Sequence, residues 1–281
     1  MNKNAILQRN NVKVFGSGDQ TLVFAHGFGC DQTMWRFFTD TMQHDYTIVT
    51  FDYVGSGQSD LTAFTSHRYG TLDGYAQDIN EILEALDLKN ITLIGHSVSS
   101  IIGMLAAIKA PDRVRQLVMV CPSPYYMNDL PEYEGGFERS DLEELIDLMD
   151  KNYIGWANYL APLVMGGRAD QHFVEELSTS FCSTDPLVAK TLARATFFSD
   201  YRSVLPNCNI PTLVLQSHID SLASVKVGQY VCDHLPKGQL SILETEGHCI
   251  HMTDHDKVET EIRAFIHADM NAQTKPGAAI G

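Results

Sequence analysis

Positive charge is scarce in this chain. Its 281 residues include 20 lysines and arginines against 35 aspartates and glutamates, which gives a formal net charge of −15. Nucleic acids and anionic membrane surfaces attract basic patches, so a strongly acidic chain is a poor candidate for binding either. The composition therefore predicts no nucleic-acid partner and no membrane partner.

Long apolar runs and paired cysteines are missing as well. Residues 1–14 are polar and contain no apolar run of the length found in a signal peptide. No stretch of the sequence approaches the ~20 consecutive apolar residues of a membrane-spanning helix. The six cysteines are scattered without a C-x-x-C pair: Cys30, Cys121, Cys182, Cys208, Cys232 and Cys249. Without a secretory signal, free thiols are favoured over disulfides, and we expect a cytoplasmic protein.

Short apolar runs are frequent, and they alternate with segments of helical periodicity. With 44% hydrophobic residues in 281, the chain suffices for one large α/β domain with an inserted subdomain. Continuous apolar strands between helices are typical of a parallel sheet covered on both faces. Strands are predicted at residues 1–14, 21–25, 46–51, 91–94 and 113–121, and helices at 31–42, 72–86 and 99–108.

The alternation stops between residues 125 and 198, where four helical segments occur without a strand. Such an insertion indicates a lid over the carboxyl-terminal edge of the sheet, and a separate helical domain is the alternative. The pattern resumes with strands at 212–216 and 239–244 and helices at 225–234 and 257–268. The predicted organisation is a core of residues 1–124 and 199–269, a four-helix lid of residues 125–198, and a disordered tail of residues 270–281.

One strand–helix junction carries a motif with chemical meaning. The sequence GHSVS at residues 95–99 joins the apolar strand at 91–94 to a helix, with Ser97 at the apex of the turn. This is the context of a nucleophile elbow, in which a sharp turn exposes the serine hydroxyl beside a helix N-terminus. Ser99 replaces the second glycine of the G-x-S-x-G pattern. The alternative interpretation is an ordinary strand–turn–helix with a surface serine.

Two further strand ends supply partners for the serine. A serine hydroxyl needs a base to take its proton, and the base needs a carboxylate to fix its tautomer. Asp220 and His248 each follow a late strand, in the chain order Ser, Asp, His of this type of elbow. His251 and His255 have a spacing that could mimic metal ligands, but no further cluster completes the set, and we expect no metal.

Two backbone N–H groups are needed to bind the oxyanion of a tetrahedral intermediate. One comes from the residue after the nucleophile, Val98, and the other from the loop after the early strand. That loop reads His26-Gly27-Phe28. Phe28 is therefore the predicted second donor.

Longer blocks of sequence resemble a known family. HGFGCDQTMW at residues 26–35, FDYVGSGQSD at 51–60, GHSVS at 95–99, FCSTDP at 181–186 and EGHCIHM at 246–252 are similar to segments of the α/β-hydrolase superfamily. Within it they resemble the branch of the RsbQ-like sigma-B regulators and the plant karrikin and strigolactone receptors. The resemblance covers residues 10 to 265 approximately.

The resemblance implies an α/β-hydrolase fold, with a mostly parallel sheet flanked by helices and a V-shaped lid of four helices over a hydrophobic pocket. Phe28, Phe137, Trp156 and Phe197 would line that pocket, although composition alone is equally consistent with aromatic residues that pack helices together. It further implies a small hydrophobic ligand, no cofactor, slow hydrolysis, and stress-response signalling with a regulatory phosphatase or another signalling protein as partner.

Two classes of function fit these residues. The first is a serine hydrolase of small apolar esters, lactones or enol-ether-like molecules. The second is a signalling receptor that uses the same three residues to bind a ligand and change the shape of its lid, with little turnover. Haloalkane dehalogenases and epoxide hydrolases share the fold but need a carboxylate nucleophile, so Ser97 argues against them.

Overall fold

Seven strands form one sheet in the computed structural model, which describes residues 2–274. The order across the sheet is β1-β3-β2-β4-β5-β6-β7, and every neighbouring pair is parallel except β1 and β3. The predicted α/β fold with a mostly parallel sheet is confirmed. The strands are β1 Lys13–Phe15, β2 Thr21–Ala25, β3 Thr47–Thr50, β4 Ile91–His96, β5 Val114–Val120, β6 Thr212–Ile219 and β7 Gly238–Glu246.

Helices cover both faces of the sheet because successive strand residues point to opposite sides. Leu22 and Phe24 of β2 pack into one hydrophobic core, and Val23 and Ala25 pack into the other. The central strand β4 is buried along its whole length. This explains why the strands read as continuous apolar runs rather than as alternating ones.

The helices largely follow the predicted segments. Three short 3₁₀ turns lie at Gln32–Trp35, Leu61–Ala63 and Arg202–Asn207. The α-helices are α1 Lys3–Arg9, α2 Arg36–Met42, α3 Ser66–Tyr69, α4 Leu72–Ala85, α5 Val98–Lys109, α6 Arg139–Lys151, α7 Tyr153–Met165, α8 Gln171–Ser183, α9 Pro186–Phe197, α10 Val225–His234, α11 Ile250–Thr253 and α12 His255–Thr274.

The prediction of a strand over residues 1–14 is wrong for most of its length, because α1 precedes the short strand β1. The side chain of Asn2 accepts the N–H of Asn4 and begins the helix. At the other end, buried Arg9 pairs with Asp78 at 3.1 Å and with Glu81 at 2.7 Å. The helix is therefore fixed by partners about 70 residues away in the chain.

Helices α6 to α9 lie between β5 and β6 in the chain, where the sequence predicts the lid. Their buried side chains include Leu142, Trp156 and Phe181, which belong to the same hydrophobic cluster as Phe24 and Trp35 beside the sheet. Among the described residues, this helical segment shares its core with the sheet instead of enclosing a core of its own.

The last helix, α12, extends to Thr274, past the predicted end at residue 268. The first helix-breaking residue in this stretch of sequence is Pro276. The described backbone is thus helical over residues 270–274, which the prediction assigned to the tail, and residues 275–281 lie outside the described part. None of the described helices combines the length and apolar composition that crossing a membrane requires.

Candidate active site

The turn between β4 and α5 holds Ser97 in a backbone conformation that residues other than glycine rarely adopt. Its φ is 55° and its ψ is −122°, and α5 begins at the next residue, Val98. The turn is tight because Gly95 lies against the helix backbone, where a Cβ would come within 2.3 Å of the Ser99 carbonyl oxygen. Such strain is typical of a residue whose side chain is presented for chemistry.

Ser97, His248 and Asp220 form a continuous hydrogen-bonded chain at the carboxyl-terminal edge of the sheet. The Ser97 Oγ lies 2.8 Å from His248 Nε2, and His248 Nδ1 lies 2.8 Å from Asp220 Oδ2. An ionised carboxylate only accepts, so His248 carries its proton on Nδ1 and its Nε2 accepts from the serine hydroxyl. This arrangement can abstract the proton of Ser97.

The loop that carries Asp220 fixes the orientation of its carboxylate. The other oxygen, Oδ1, accepts the backbone N–H groups of Leu222 at 2.8 Å and Ala223 at 3.1 Å. Asp220 thus caps the turn of its own loop, which holds the backbone around the carboxylate. Buried Cys121 lies close to this carboxylate, and burial, together with the Asp220 charge, raises the pKa of its thiol well above the usual range.

The two predicted backbone donors belong to the elbow and to the loop after β2. Val98 is the first residue of α5, and the first N–H groups of a helix have no partner within the helix. Phe28 follows Gly27, which packs against the elbow so closely that a Cβ would lie 2.4 Å from His96 Nδ1. The post-β2 loop, residues 26–29, and the elbow are therefore in direct contact.

A small, mainly apolar cavity of about 30 Å³ lies above the serine. Its polar contributors include Ser97, His248, Tyr126 and Thr196. The apolar part of the wall comes from Phe28, Leu160, Val164, Leu177, Phe181, Phe197 and Leu222. A volume of this size holds about one water molecule.

The four aromatic residues predicted for the pocket occupy three different places. Phe28 and Phe197 line the cavity, with ring centroids 6.0 Å apart. Trp156 is fully buried behind Phe28 and packs edge-on against it at 6.0 Å. Phe137 lies instead in an outer groove formed largely by α6 and α7.

The outer groove has a volume of about 550 Å³ and adjoins the small cavity. Leu160, Phe197 and Leu222 line both spaces and form the wall between them. The charged side chains that line the groove are Asp141 and Glu144. An approaching ligand therefore meets apolar surface and negative charge.

Sequence reasoning missed Tyr126, which is buried in the cavity with its hydroxyl group beside Ser97. Burial raises the pKa of its phenol, so it stays protonated and can donate a hydrogen bond. The sequence does contain a signal for Tyr126, because this residue comes shortly after β5. The carboxyl ends of β5 and β4 lie side by side at one edge of the sheet. Cys30 and Cys249 also line the cavity, and burial raises the pKa of both thiols, so neither is a ready nucleophile.

The histidines that mimic metal spacing in the sequence do not lie together as ligands. His251 is buried between Trp35 at 4.7 Å and His96 at 4.1 Å, whereas His255 stacks on Phe37 at 4.2 Å. Within the described residues, the one group of three ligand-type side chains is Cys121, Asp220 and His248, whose atoms lie within 4.8 Å. Its Asp–His pair already shares a 2.8 Å hydrogen bond and its thiol is held protonated, which fits proton transfer better than metal binding.

The sequence is similar to those of a known family of proteins. A family model described as the alpha/beta hydrolase fold matches residues 20–255. The karrikin insensitive 2 receptor CA of Petunia hybrida is 39% identical over 264 residues, which cover 94% of this chain and 97% of that protein. The strigolactone esterase D14 of Arabidopsis thaliana is 36% identical over 250 residues, with 88% and 92% covered.

A solved structure gives the same result at higher similarity. A hydrolase from Oleispira antarctica superposes with a TM-score of 0.94 at 55% sequence identity, covering 95% of this chain and 98% of that one. The two folds agree over nearly the whole length of both chains, and more than half of the compared residues are identical. The chain belongs to the α/β-hydrolase family.

Proposed function

We propose that this protein is a serine hydrolase of small, uncharged esters, lactones or enol-ether-like molecules. The observation that carries the proposal is the Ser97–His248–Asp220 chain, with two hydrogen bonds of 2.8 Å, opening into an apolar cavity. The hydrolase and esterase names of several relatives support the same reaction class.

The reaction proceeds in two stages. The Ser97 oxygen attacks the carbonyl carbon while His248 Nε2 takes the hydroxyl proton, and the resulting oxyanion accepts hydrogen bonds from the N–H groups of Val98 and Phe28. The C–O bond to the leaving group breaks, and the imidazolium donates its proton to the departing oxygen. Water then attacks the acyl-enzyme with His248 as base, which releases the acid and restores Ser97. Asp220 stabilises the imidazolium throughout.

Substrate entry requires motion in the helical lid. The cavity of about 30 Å³ is too small for an ester substrate, since it holds about one water molecule. Leu160, Phe197 and Leu222 separate it from the outer groove. Displacement of α7 and α9 joins the two spaces into a pocket of the few hundred Å³ that ligands occupy. We therefore propose that α6 to α9 act as a lid whose opening precedes chemistry.

The walls of the two spaces select against negative charge. The small cavity has no lysine or arginine among its lining residues, and the charged residues of the groove are Asp141 and Glu144. A carboxylate on the substrate loses hydration without gaining a cationic partner. A neutral ligand is therefore favoured.

Covalent labelling tests the assignment of the nucleophile. A fluorophosphonate should add its mass to the tryptic peptide that contains Ser97 and to no other peptide. The Ser97→Ala variant, at matched thermal stability, should show no labelling and no ester hydrolysis. Labelling that persists in this variant would contradict the proposed role of Ser97.

A receptor with little turnover is the second candidate. It is favoured by the similarity to the petunia receptor and by the small cavity, because a ligand larger than the cavity must change the shape of the lid when it binds. The partner in that case is a regulatory phosphatase or another signalling protein. Its location would be the cytoplasm, where the six free cysteines remain reduced. Turnover of a lactone panel separates the two: a receptor releases about one product per protein and stays modified, whereas an enzyme continues.

A further inference from the structure

Ser99 makes contacts that a glycine at this motif position cannot make. Its side chain is fully buried, and its hydroxyl donates to the carbonyl oxygen of His26 at 2.5 Å. The hydroxyl of Tyr53 lies 3.0 Å from the same Ser99 oxygen. Because the single proton of Ser99 is already given to His26, Tyr53 must be the donor in the second bond.

These bonds join three loops that lie at the edge of the sheet. Ser99 belongs to the start of α5, His26 follows β2, and Tyr53 follows β3. The imidazole of His26 adds two more links, since its Nε2 accepts the backbone N–H of Tyr53 at 3.1 Å and its Nδ1 donates to the carbonyl of Gly27 at 2.9 Å.

The bond from Ser99 to His26 joins the two segments that carry the predicted oxyanion donors. Ser99 is one residue after Val98 in the chain, and His26 is two residues before Phe28. The elbow and the post-β2 loop leave neighbouring strands that pair as far as Ala25 and Gly95, so contacts beyond that pair set the spacing of their N–H groups. Ser99 provides the direct side-chain hydrogen bond across this gap, and the bond is short and buried.

We infer that Ser99, supported by Tyr53, is a positioning residue that sets the distance between the Val98 and Phe28 N–H groups. The inference rests on the proposed hydrolase function. Removing an oxyanion donor costs on the order of 10² to 10³ in rate. A donor that is displaced but still present is expected to cost less, about ten-fold.

Ser100 offers a matched control for Ser99. It is equally buried, and its hydroxyl also donates to a carbonyl, that of Gly95 at 2.9 Å. That bond stays within the elbow and does not reach the post-β2 loop. Ser99→Ala and Ser100→Ala should therefore lose similar amounts of thermal stability, while Ser99→Ala alone disturbs the hole.

The experiment compares a 4-nitrophenyl ester with its thionoester, in which sulfur replaces the carbonyl oxygen. Sulfur is a weak hydrogen-bond acceptor, so the thionoester gains little from the hole. Ser99→Ala should lower kcat/KM for the ester about ten-fold through kcat, and change the thionoester by less than two-fold. Ser100→Ala should leave the ratio of the two rates as in the unsubstituted protein.

Equal losses on both esters in folded Ser99→Ala, or an unchanged ester rate, would overturn the inference. If Ser99→Ala does not fold, Tyr53→Phe decides, since it removes the hydroxyl that donates to Ser99. A lowered ester-to-thionoester ratio supports the inference, and an unchanged one overturns it. Fluorophosphonate labelling of Ser97 in the unsubstituted protein reports separately on the proposed function, so the two failures are distinguishable.

Discussion

Three buried histidines make the stability of this fold sensitive to mild acid. His26, His96 and His251 are all buried, and burial lowers the pKa of each, of His96 and His251 well below the ordinary value. In an unfolded chain the pKa of histidine is ~6.5. Below that pH the unfolded state binds more protons than the folded state, so the free energy of unfolding falls as the pH drops.

The size of the effect follows from this linkage. At pH 5.5, about one unit below the unfolded pKa, each histidine that stays neutral in the folded state costs RT ln 11, or about 1.4 kcal/mol. His96 and His251 together cost about 3 kcal/mol, and His26 adds up to about 1.4 kcal/mol more. This is a large share of the ~5–15 kcal/mol by which domains are usually stable.

His251→Leu isolates one of these contributions. Neither ring nitrogen of His251 has a hydrogen-bond partner among the described residues. Replacing His251 by leucine therefore leaves no neighbouring polar group without its hydrogen bond. The variant should lose about 1.4 kcal/mol less than the unsubstituted protein between pH 7.5 and 5.5. Urea unfolding followed by tryptophan fluorescence measures this, and pH 5.5 keeps Glu81 and Asp200, whose pKa values are lowered, in their charged state.

The control is His67→Leu, which removes an exposed histidine. It should leave the pH dependence unchanged, because His67 is exposed and folding does not bury its side chain. An identical pH dependence for His251→Leu and the unsubstituted protein would refute the reasoning. It would mean that His251 takes up its proton in the folded state at the same cost as in water.

Two further predictions concern the active site. Asp220→Asn should keep the fold but present an N–H to His248 Nδ1, force the wrong tautomer and lower kcat by about 10⁴; near-full activity would assign the acid elsewhere. A neutral ester should have a higher kcat/KM than its carboxylate-bearing analogue, because Asp141 and Glu144 line the groove. A preference for the anion would reveal a cationic contact in the open lid and would remove the argument for neutral ligands.

The sequence predicts well what local pattern determines. The apolar run of β2 and the helix α10 have the bounds that the sequence predicts. Ser97, Asp220 and His248 could be singled out together because each follows a strand, and parallel strands bring their carboxyl ends to one edge. Their mutual distances, however, depend on loop conformations that no local pattern encodes.

The parts that sequence reasoning missed depend on distant contacts. Helix α1 is held through Arg9 by Asp78 and Glu81, which no window of neighbouring residues contains. Tyr126 reaches the serine because the chain leaves β5 through Cys121, whose φ of 50° redirects the following residues. Trp156 and Phe137 look alike as lid aromatics, but tertiary packing buries the first and leaves the second in the groove.

The hydrophobic cluster that helices α6 to α9, the proposed lid, share with the sheet has a thermodynamic consequence. Leu142, Trp156 and Phe181 lose their packing partners when the sheet unfolds, so lid and core should melt in one cooperative transition. A ligand bound between them stabilises both parts at once, by RT ln(1 + [L]/Kd). On heating, the proposed lid should therefore unfold together with the core. The melting temperature of the whole chain then reports whether a ligand occupies the pocket, although few residues line that pocket.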